Sequence, residues 1–272
     1  MTTDGGFSAP EGWVLRAPAL PGTRHGFFTR LGGVSAAPYA SLNCSARSGD
    51  DPDAIRENRR RVAVEIGVAP EMLLGVSQVH SADAIIVDEP WAFGEGAKAD
   101  AMVTTRPDVA LGVITADCAP VLFASRDGRV VGAAHAGWRG AVGGVLEATL
   151  RAMEACGARA SDVVAVVGPC IASRSYEVGE DMRAAVLQDG DDAEAAQWFA
   201  PGVRDGHYQF DLAGYCQWRL RAAGVGEALA LGVDTLSDER RFYSHRRRTL
   251  AGGGHIGHQI SVIAPTQHGG AV

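Results

Sequence analysis

Between residues 100 and 171 five short runs of β-branched and small apolar residues follow one another: DAMVTT, ALGVITADC, PVLFAS, RVVGAAHAG and DVVAVVGPCI. Each is too short for an isolated helix and is bounded by turn residues, so each reads as a strand. The RDG between PVLFAS and RVVGAAHAG is a hairpin signal. Strands joined by tight turns are antiparallel, which excludes a wholly parallel, doubly wound sheet.

Helices interrupt the strands. GDDPDAIRENRRRVAVEIGV has Asp51 as N-cap, Pro52 at the first helical position, Ile55, Val62 and Ile66 at helical spacing, and Gly67 as its stop. GAVGGVLEATLRAMEACG reads as one helix ended by Gly157, and DLAGYCQWRLRAAGV as another, capped by Asp211 and stopped at Gly224. HGFFT is an early strand running into the Gly32-Gly33 turn; LLGVSQVHS and AIIVD are expected to pair with each other. YEVGEDMRAAVL leads into a further helix, and residues 186–206 read as a surface excursion. The last strand, in HQISVIAP, must be paired to avoid an exposed edge. Strands outnumber helices, so the expectation is an α+β fold with mixed sheets. One domain spans 1–272, and its first twenty residues show no clear element.

A net charge of −7 lacks the basic footprint of a general nucleic-acid binder. No run of about eighteen apolar residues occurs, so no membrane span is expected. The N-terminal stretch has no cationic region followed by an apolar one. Five cysteines, an odd set without a CxxC pair, suggest free thiols in a reducing, cytoplasmic setting. No GxGxxG opens a helix after a strand, and no GxxxxGK[ST] occurs, so the common nucleotide-binding loops are missing.

Three residues that can ligate a metal end strand-like runs: His80 in QVH, Cys118 in TADC and His135 in AAHAGWRG. Two imidazoles and a thiolate are good zinc ligands, and three ligands with an open position is the catalytic pattern. A metal there would lower the pKa of bound water to about 7. The spacings match no short zinc motif, and a buried thiol with two hydrogen-bonded histidines is the alternative. Cys118 and His135 would also serve as a nucleophile–base pair in a thiol hydrolase or amidase. Asp117 is placed to orient an imidazole or act as a base. Arg139, where a strand gives way to a helix, suits a phosphate or carboxylate. Asn43, Gln78 and the Gly32-Gly33 turn add polar or bare-backbone groups near strand ends, and Trp138 is either a stacking platform or core.

The stretches HGFFTRLGGVS, SLNCSARSGDD, ENRRR, QVHSADAIIVD, ADAMVTTRPDVALGVITADCAPVLF, VVGAAHAGWRG, VVGPCIASRSYEVGEDM, FDL and FYSHRR fall in consistent order from about residue 25 to 264. In this order they resemble the laccase-domain family known as YfiH or DUF152. The resemblance implies an α/β/β/α sandwich with mixed sheets, and one zinc, with copper as an alternative, on His80, Cys118 and His135. It implies phosphorolysis of adenosine, inosine, guanosine and methylthioadenosine, adenosine deamination, an older polyphenol oxidase label, and a role in peptidoglycan precursor editing. The partners expected are therefore purine nucleosides and phosphate, with neither nucleic acid nor membrane. Two positions depart from the family pattern. Arg47 stands where a histidine is usual, and His258 follows Gly257 where arginine is usual; both bear on substrate preference. Multicopper oxidation needs more histidine clusters than these eight histidines supply.

Overall fold

The computed structural model describes residues 8–20, 22–187 and 192–266. In chain order the strands are β1 (Val14–Leu15), β2 (Arg24–Phe28), β3 (Leu73–Leu74), β4 (Ala84–Ile86), β5 (Ala101–Thr104), β6 (Ala110–Thr115), β7 (Ala119–Ser125), β8 (Val131–Ala136), β9 (Val163–Val167), β10 (Glu177–Gly179), β11 (Phe199–Pro201), β12 (His207–Phe210), β13 (Glu227–Ala230) and β14 (Gln259–Ala264). The helices are α1 (Pro52–Ile66), α2 (Trp138–Gly143), α3 (Val145–Ala155), α4 (Glu180–Leu187), α5 (Asp192–Ala196), α6 (Leu212–Ala222) and α7 (His245–Leu250).

Two sheets carry the fold, with strand orders β1-β2-β14-β6-β3 and β13-β9-β7-β8-β5-β4. Both are mixed. In the first, β14 runs antiparallel to β2 and β6 while β3 is parallel to β6. In the second, β8 is antiparallel to β5 and β7, whereas β4 runs parallel to β5 and β13 to β9. The last strand lies inside the first sheet, so its edges are paired as the sequence requires.

The alternation of side chains along each strand sorts the layers. Leu122 and Ala124 of β7 share a core with Phe27, Leu111, Val113 and Ile263 of the other sheet. Their neighbours Val121 and Phe123 pack instead with Val145, Leu146, Tyr215 and Leu220 of α3 and α6. On the outer side of the first sheet, Ala110, Ile260 and Val262 meet Val62, Ala63 and Ile66 of α1. The order is helix, sheet, sheet, helix. Strands buried on both faces read as nearly continuous apolar runs, which is why alternation was faint in the sequence.

The α1 boundaries fall where the caps place them: Asp51 accepts from the Asp53 N–H, and Gly67 adopts the left-handed conformation. Four expectations need correction. LLGVSQVHS forms only the two-residue β3, and β3 and β4 belong to different sheets. The helix expected from residue 140 to 157 is two helices, broken at Gly144, whose φ is 92°. The excursion at 186–206 contributes β11 to a small antiparallel sheet of order β10-β12-β11; residues 188–191 lie outside the described ones. Within the first twenty residues, β1 pairs with β2 and buried Trp13 meets Phe28 edge-on, ring centroids 5.2 Å apart. Residues 1–7 lie outside the described ones.

Gly168, just after β9, lies directly against Phe27 of the other sheet. A Cβ built there would stand 2.2 Å from Cδ1 of the fully buried Phe27 and 3.0 Å from Cγ of Pro120. Gly168→Ala is therefore expected to destabilise by about 1–3 kcal/mol. At this size the melting temperature falls by about 2–4 °C per kcal/mol. An unchanged melting temperature would show that the Phe27 contact yields without cost.

Candidate metal centre

Asp100, just before β5, organises the site. It is fully buried, and its carboxylate accepts from the N–H groups of Val79 (3.1 Å), His80 (3.0 Å) and Ser81 (2.6 Å) and from the Ser81 hydroxyl (3.0 Å). These bonds explain why QVHS is not a strand: its backbone donors go to a side chain instead of a ladder. The Gln78 amide fixes the segment from the other side, donating to Ile114 O and accepting from Ile114 N, both at 2.8 Å.

The same carboxylate holds the second histidine. His135 lies on β8 opposite Pro120 of β7, and its Nδ1 is 2.8 Å from Asp100 Oδ1. Cys118 occupies the short turn between β6 and β7. The donor atoms of His80, Cys118 and His135 all lie within 4.8 Å of one another, with Cys118 Sγ 3.9 Å from His80 Nε2. The two imidazoles meet edge to face, 4.8 Å apart at 78°.

This donor set fits zinc. Tetrahedral zinc with nitrogen and sulfur ligands needs donor separations of about 3.5 Å, a small contraction from those present. With Nδ1 engaged by Asp100, His135 presents Nε2 to the centre, the carboxylate-backed arrangement that fixes a ligand tautomer. Copper also binds nitrogen–sulfur sites. Neither Cys170 nor His258 joins the cluster, so among the described residues three side chains could hold a metal there.

Burial pushes the Cys118 thiol up, but His135 and His80 together outweigh it, and its pKa falls below the ordinary value. His135 shifts the other way. Burial disfavours its charge, yet Cys118 and then Asp100 raise its pKa above the ordinary value. Asp100 is penalised by burial and held well below the usual carboxylate range by His135 and the backbone donors.

Two backbone features accompany the candidate ligands. A Cβ on Gly137 would lie 3.0 Å from both Cys118 Sγ and His80 Cδ2, so any side chain there would push on both by a few tenths of an ångström. Among the described residues, the non-glycine positions with positive φ are His80 (60°) and Asp117 (85°). Strained backbone of this kind persists where its surroundings over-determine it, and functional sites are where it clusters.

Asp117 is buried, but it does not orient an imidazole; Asp100 does. Its Oδ1 accepts from Thr235 Oγ1 at 2.6 Å, and its Oδ2 from Ser244 Oγ at 2.9 Å and Arg246 N at 2.6 Å. Those bonds tie the cysteine turn to the start of α7.

A cavity of about 630 Å³ opens over the centre, lined by the three candidate ligands together with Arg47, Gln78, Trp138 and Arg139. Arg139 is exposed, and its guanidinium stacks 4.5 Å above the Trp138 ring. Asn43 lies behind the wall: fully buried, it donates to Ser48 Oγ and Asp50 Oδ2 and accepts from the N–H groups of Ser45 and His258. It shapes the loop that carries Arg47. The sequence reading missed Asp100, Arg59, Tyr176, His245 and Arg246, of which the last four line the cavity. An acid inside the apolar ADAMV was the legible signal for Asp100.

In metal-free protein, alkylation of Cys118 is expected to titrate with a midpoint below that of an ordinary cysteine, because the folded thiolate is favoured. His135→Ala should move the midpoint upward, and a profile like that of free cysteine would contradict the coupling. Gly137→Ala is expected to lower metal affinity by about 10–100-fold, as loss of a supporting contact commonly does. Metal titration of the folded variant checks this, and wild-type affinity would show that the ligands shift freely.

The family model described as multi-copper polyphenol oxidoreductase laccase matches residues 24–266. A purine nucleoside phosphorylase of Deinococcus radiodurans is 43% identical over 240 residues, covering 88% of this chain and 89% of that protein. The purine nucleoside phosphorylase YfiH of Escherichia coli is 40% identical over 229 residues, covering 82% and 88%. Among solved structures, YlmD of Geobacillus stearothermophilus superposes with a TM-score of 0.85 at 29% identity, covering 96% of this chain and 99% of that one. The DUF152 protein NMB0706 of Neisseria meningitidis gives 0.83 at 35%, covering 93% and 98%. The chain belongs to the YfiH, or DUF152, family of laccase-domain proteins.

Proposed function

We propose that this protein is a zinc-dependent purine nucleoside phosphorylase whose reaction takes place at His80, Cys118 and His135. One observation carries the reading: a nucleoside-sized cavity joins the ligand triad to four arginines, Arg47, Arg59, Arg139 and Arg246. Among the described residues the one carboxylate in its lining is Asp117, which is already engaged. A chain with net charge −7 thus presents a cationic cavity, which concentrates anionic substrate. The relatives' name supports the same chemistry.

In phosphorolysis a phosphate oxygen bonds to C1′ of the ribose. The C1′–N9 bond breaks, and the purine leaves with the electron pair and takes up a proton. Arg139 holds the phosphate by charge and position. Asp100 keeps His135 in one tautomer. When bound, zinc supplies Lewis acidity and a source of hydroxide at neutral pH. Adenosine, inosine, guanosine and methylthioadenosine are the substrates, and replacement of the adenine amino group by hydroxide is a second activity of the same centre. Free cysteines suit a cytoplasmic location.

A specific observation favours a second reading. Cys118, His135 and Asp100 stand as nucleophile, base and orienting carboxylate, the arrangement of a thiol hydrolase. An amide in a peptidoglycan precursor would be its substrate. A thiolate committed to zinc is not a free nucleophile, so metal content separates the two. Copper-dependent polyphenol oxidation is disfavoured, because the described residues form one three-ligand cluster where several coppers need more.

The deciding assay follows adenine, inosine and hypoxanthine from adenosine, with and without phosphate, using metal-quantified protein. Phosphate-dependent release of adenine is expected, lost together with the metal in Cys118→Ala. Stoichiometric zinc retained in that variant would sink the ligand assignment. Arg139→Ala should raise the KM for phosphate by about tenfold or more, the worth of one charged hydrogen bond, with a smaller effect on nucleoside. An unchanged phosphate KM would remove Arg139 from that role.

A further inference from the structure

Arg59 projects from α1 into the cavity and is only 7% exposed. Its neighbours on the helix, Arg60 and Arg61, both pair with Glu57. Arg59 has no such counter-charge among the described residues. Its Nη2 donates to Leu73 O at 2.6 Å, and the Phe93 ring lies 4.5 Å from the guanidinium carbon. The ionisable group that acts on it is the Cys44 thiol, which burial pushes up to about 12, leaving it uncharged at neutral pH. A guanidinium stays protonated under such conditions, and buried charges in folded proteins are normally paired.

The same space holds other polar atoms without partners. Ser77 Oγ, Thr115 Oγ1 and His258 Nδ1 are buried and make no hydrogen bond, and all three residues line the cavity. Burial lowers the His258 pKa to about 4, with His135 adding to the shift, so at neutral pH this ring is uncharged. Arg47, exposed on the wall, adds a second cation. The Ser77 hydroxyl and two guanidinium groups give this lining hydrogen-bond donors with no acidic side chain beside Arg59 among the described residues, which suits an oxyanion such as a phosphoryl group.

This end of the cavity is separate from the ligand triad. Leu73, which Arg59 grips, pairs with Ala110 at the start of β6, and Gly112 lies beside it. From Gly112 to Thr115 the strand rises about 10 Å, and Cys118 lies a turn further on.

We propose that Arg59, with Arg47 and Ser77, forms a phosphoryl-binding subsite remote from the triad and distinct from any anion contact at Arg139. Its ligand is a phosphoryl group, carried either as a monoester on a nucleotide or as free phosphate. Guanidinium forks bind such groups bidentately, and Phe93 covers the guanidinium face. The subsite draws on two of the arginines that support the phosphorylase reading, but it concerns binding at a place where no bond is made or broken, so a binding measurement tests it apart from turnover.

Calorimetric titration of the full chain with inorganic phosphate, adenosine 5′-monophosphate and adenosine tests it, in wild type, Arg59→Met and Arg139→Ala. Arg59→Met is expected to lose about tenfold or more in affinity for at least one phosphorylated probe, the worth of one charged hydrogen bond. Adenosine affinity should stay within about twofold, and Arg139→Ala should keep the Arg59-dependent binding. Loss towards the monophosphate alone identifies a monoester as the ligand; loss towards phosphate identifies the free ion. The Met side chain conserves much of the volume and removes an unpaired charge. Without anion, Arg59→Met should therefore melt no lower than wild type, and the effective probe should raise the melting temperature of wild type only. Arg59→Lys, which keeps the charge without the fork, should bind with intermediate affinity. Wild type that binds neither phosphorylated probe, or Arg59→Met that binds both as wild type does, would overturn the subsite and leave Arg59 as a brace for the Leu73 carbonyl.

Discussion

The Asp100 carboxylate is the interaction on which the site depends. It gathers three consecutive backbone donors, a hydroxyl and an imidazole around one buried charge. The loop from 79 to 81 has no ladder to hold it, so without that charge it would have no defined path. His80 would then not reach Cys118, and His135 would be free to rotate. Two of the three candidate ligands are thus fixed by a residue that is not a ligand. The penalty for burying the carboxylate is offset by the number and geometry of its donors.

How much of this was legible in the sequence differs element by element. The α1 boundaries were readable because Asp51, Pro52 and Gly67 act locally, within a few residues of the helix ends. The strands around β7 and β8 were readable because RDG dictates a hairpin. The two-helix break was missed: Gly143 and Gly144 look like tolerated glycines, and only the packing of α2 against β8 shows that the chain turns there. QVHS looked like a strand since its composition is that of one; the competing acceptor lies twenty residues away at Asp100. No local signal carries that information.

The site residues divide in the same way. His80, Cys118 and His135 were found by ligand type, and Arg47, Gln78 and Arg139 do line the cavity. Asn43 and Asp117 were chosen for polarity beside small residues. Their side chains prove to be consumed by the protein itself, Asn43 by its loop and Asp117 by the start of α7. A polar residue at a strand end looks the same in sequence whether it faces a ligand or the backbone. The difference is set by partners that are distant in the chain, such as Thr235 and Ser244. Arg59 was hidden for a related reason, since nothing local in ENRRR marks which of three consecutive arginines the helix turns inward.

The triad also sits at a seam. Cys118 lies on the three-residue turn by which the chain passes from β6 in one sheet to β7 in the other, and His80 on the loop that makes a second such passage from β3 to β4. His135 belongs to the second sheet alone. A metal ion held by these three side chains would therefore act as a rivet through both crossings. Spreading the layers at that corner and letting go of the ion become one motion, so occupancy adds to the cohesion of the whole sandwich through mass action.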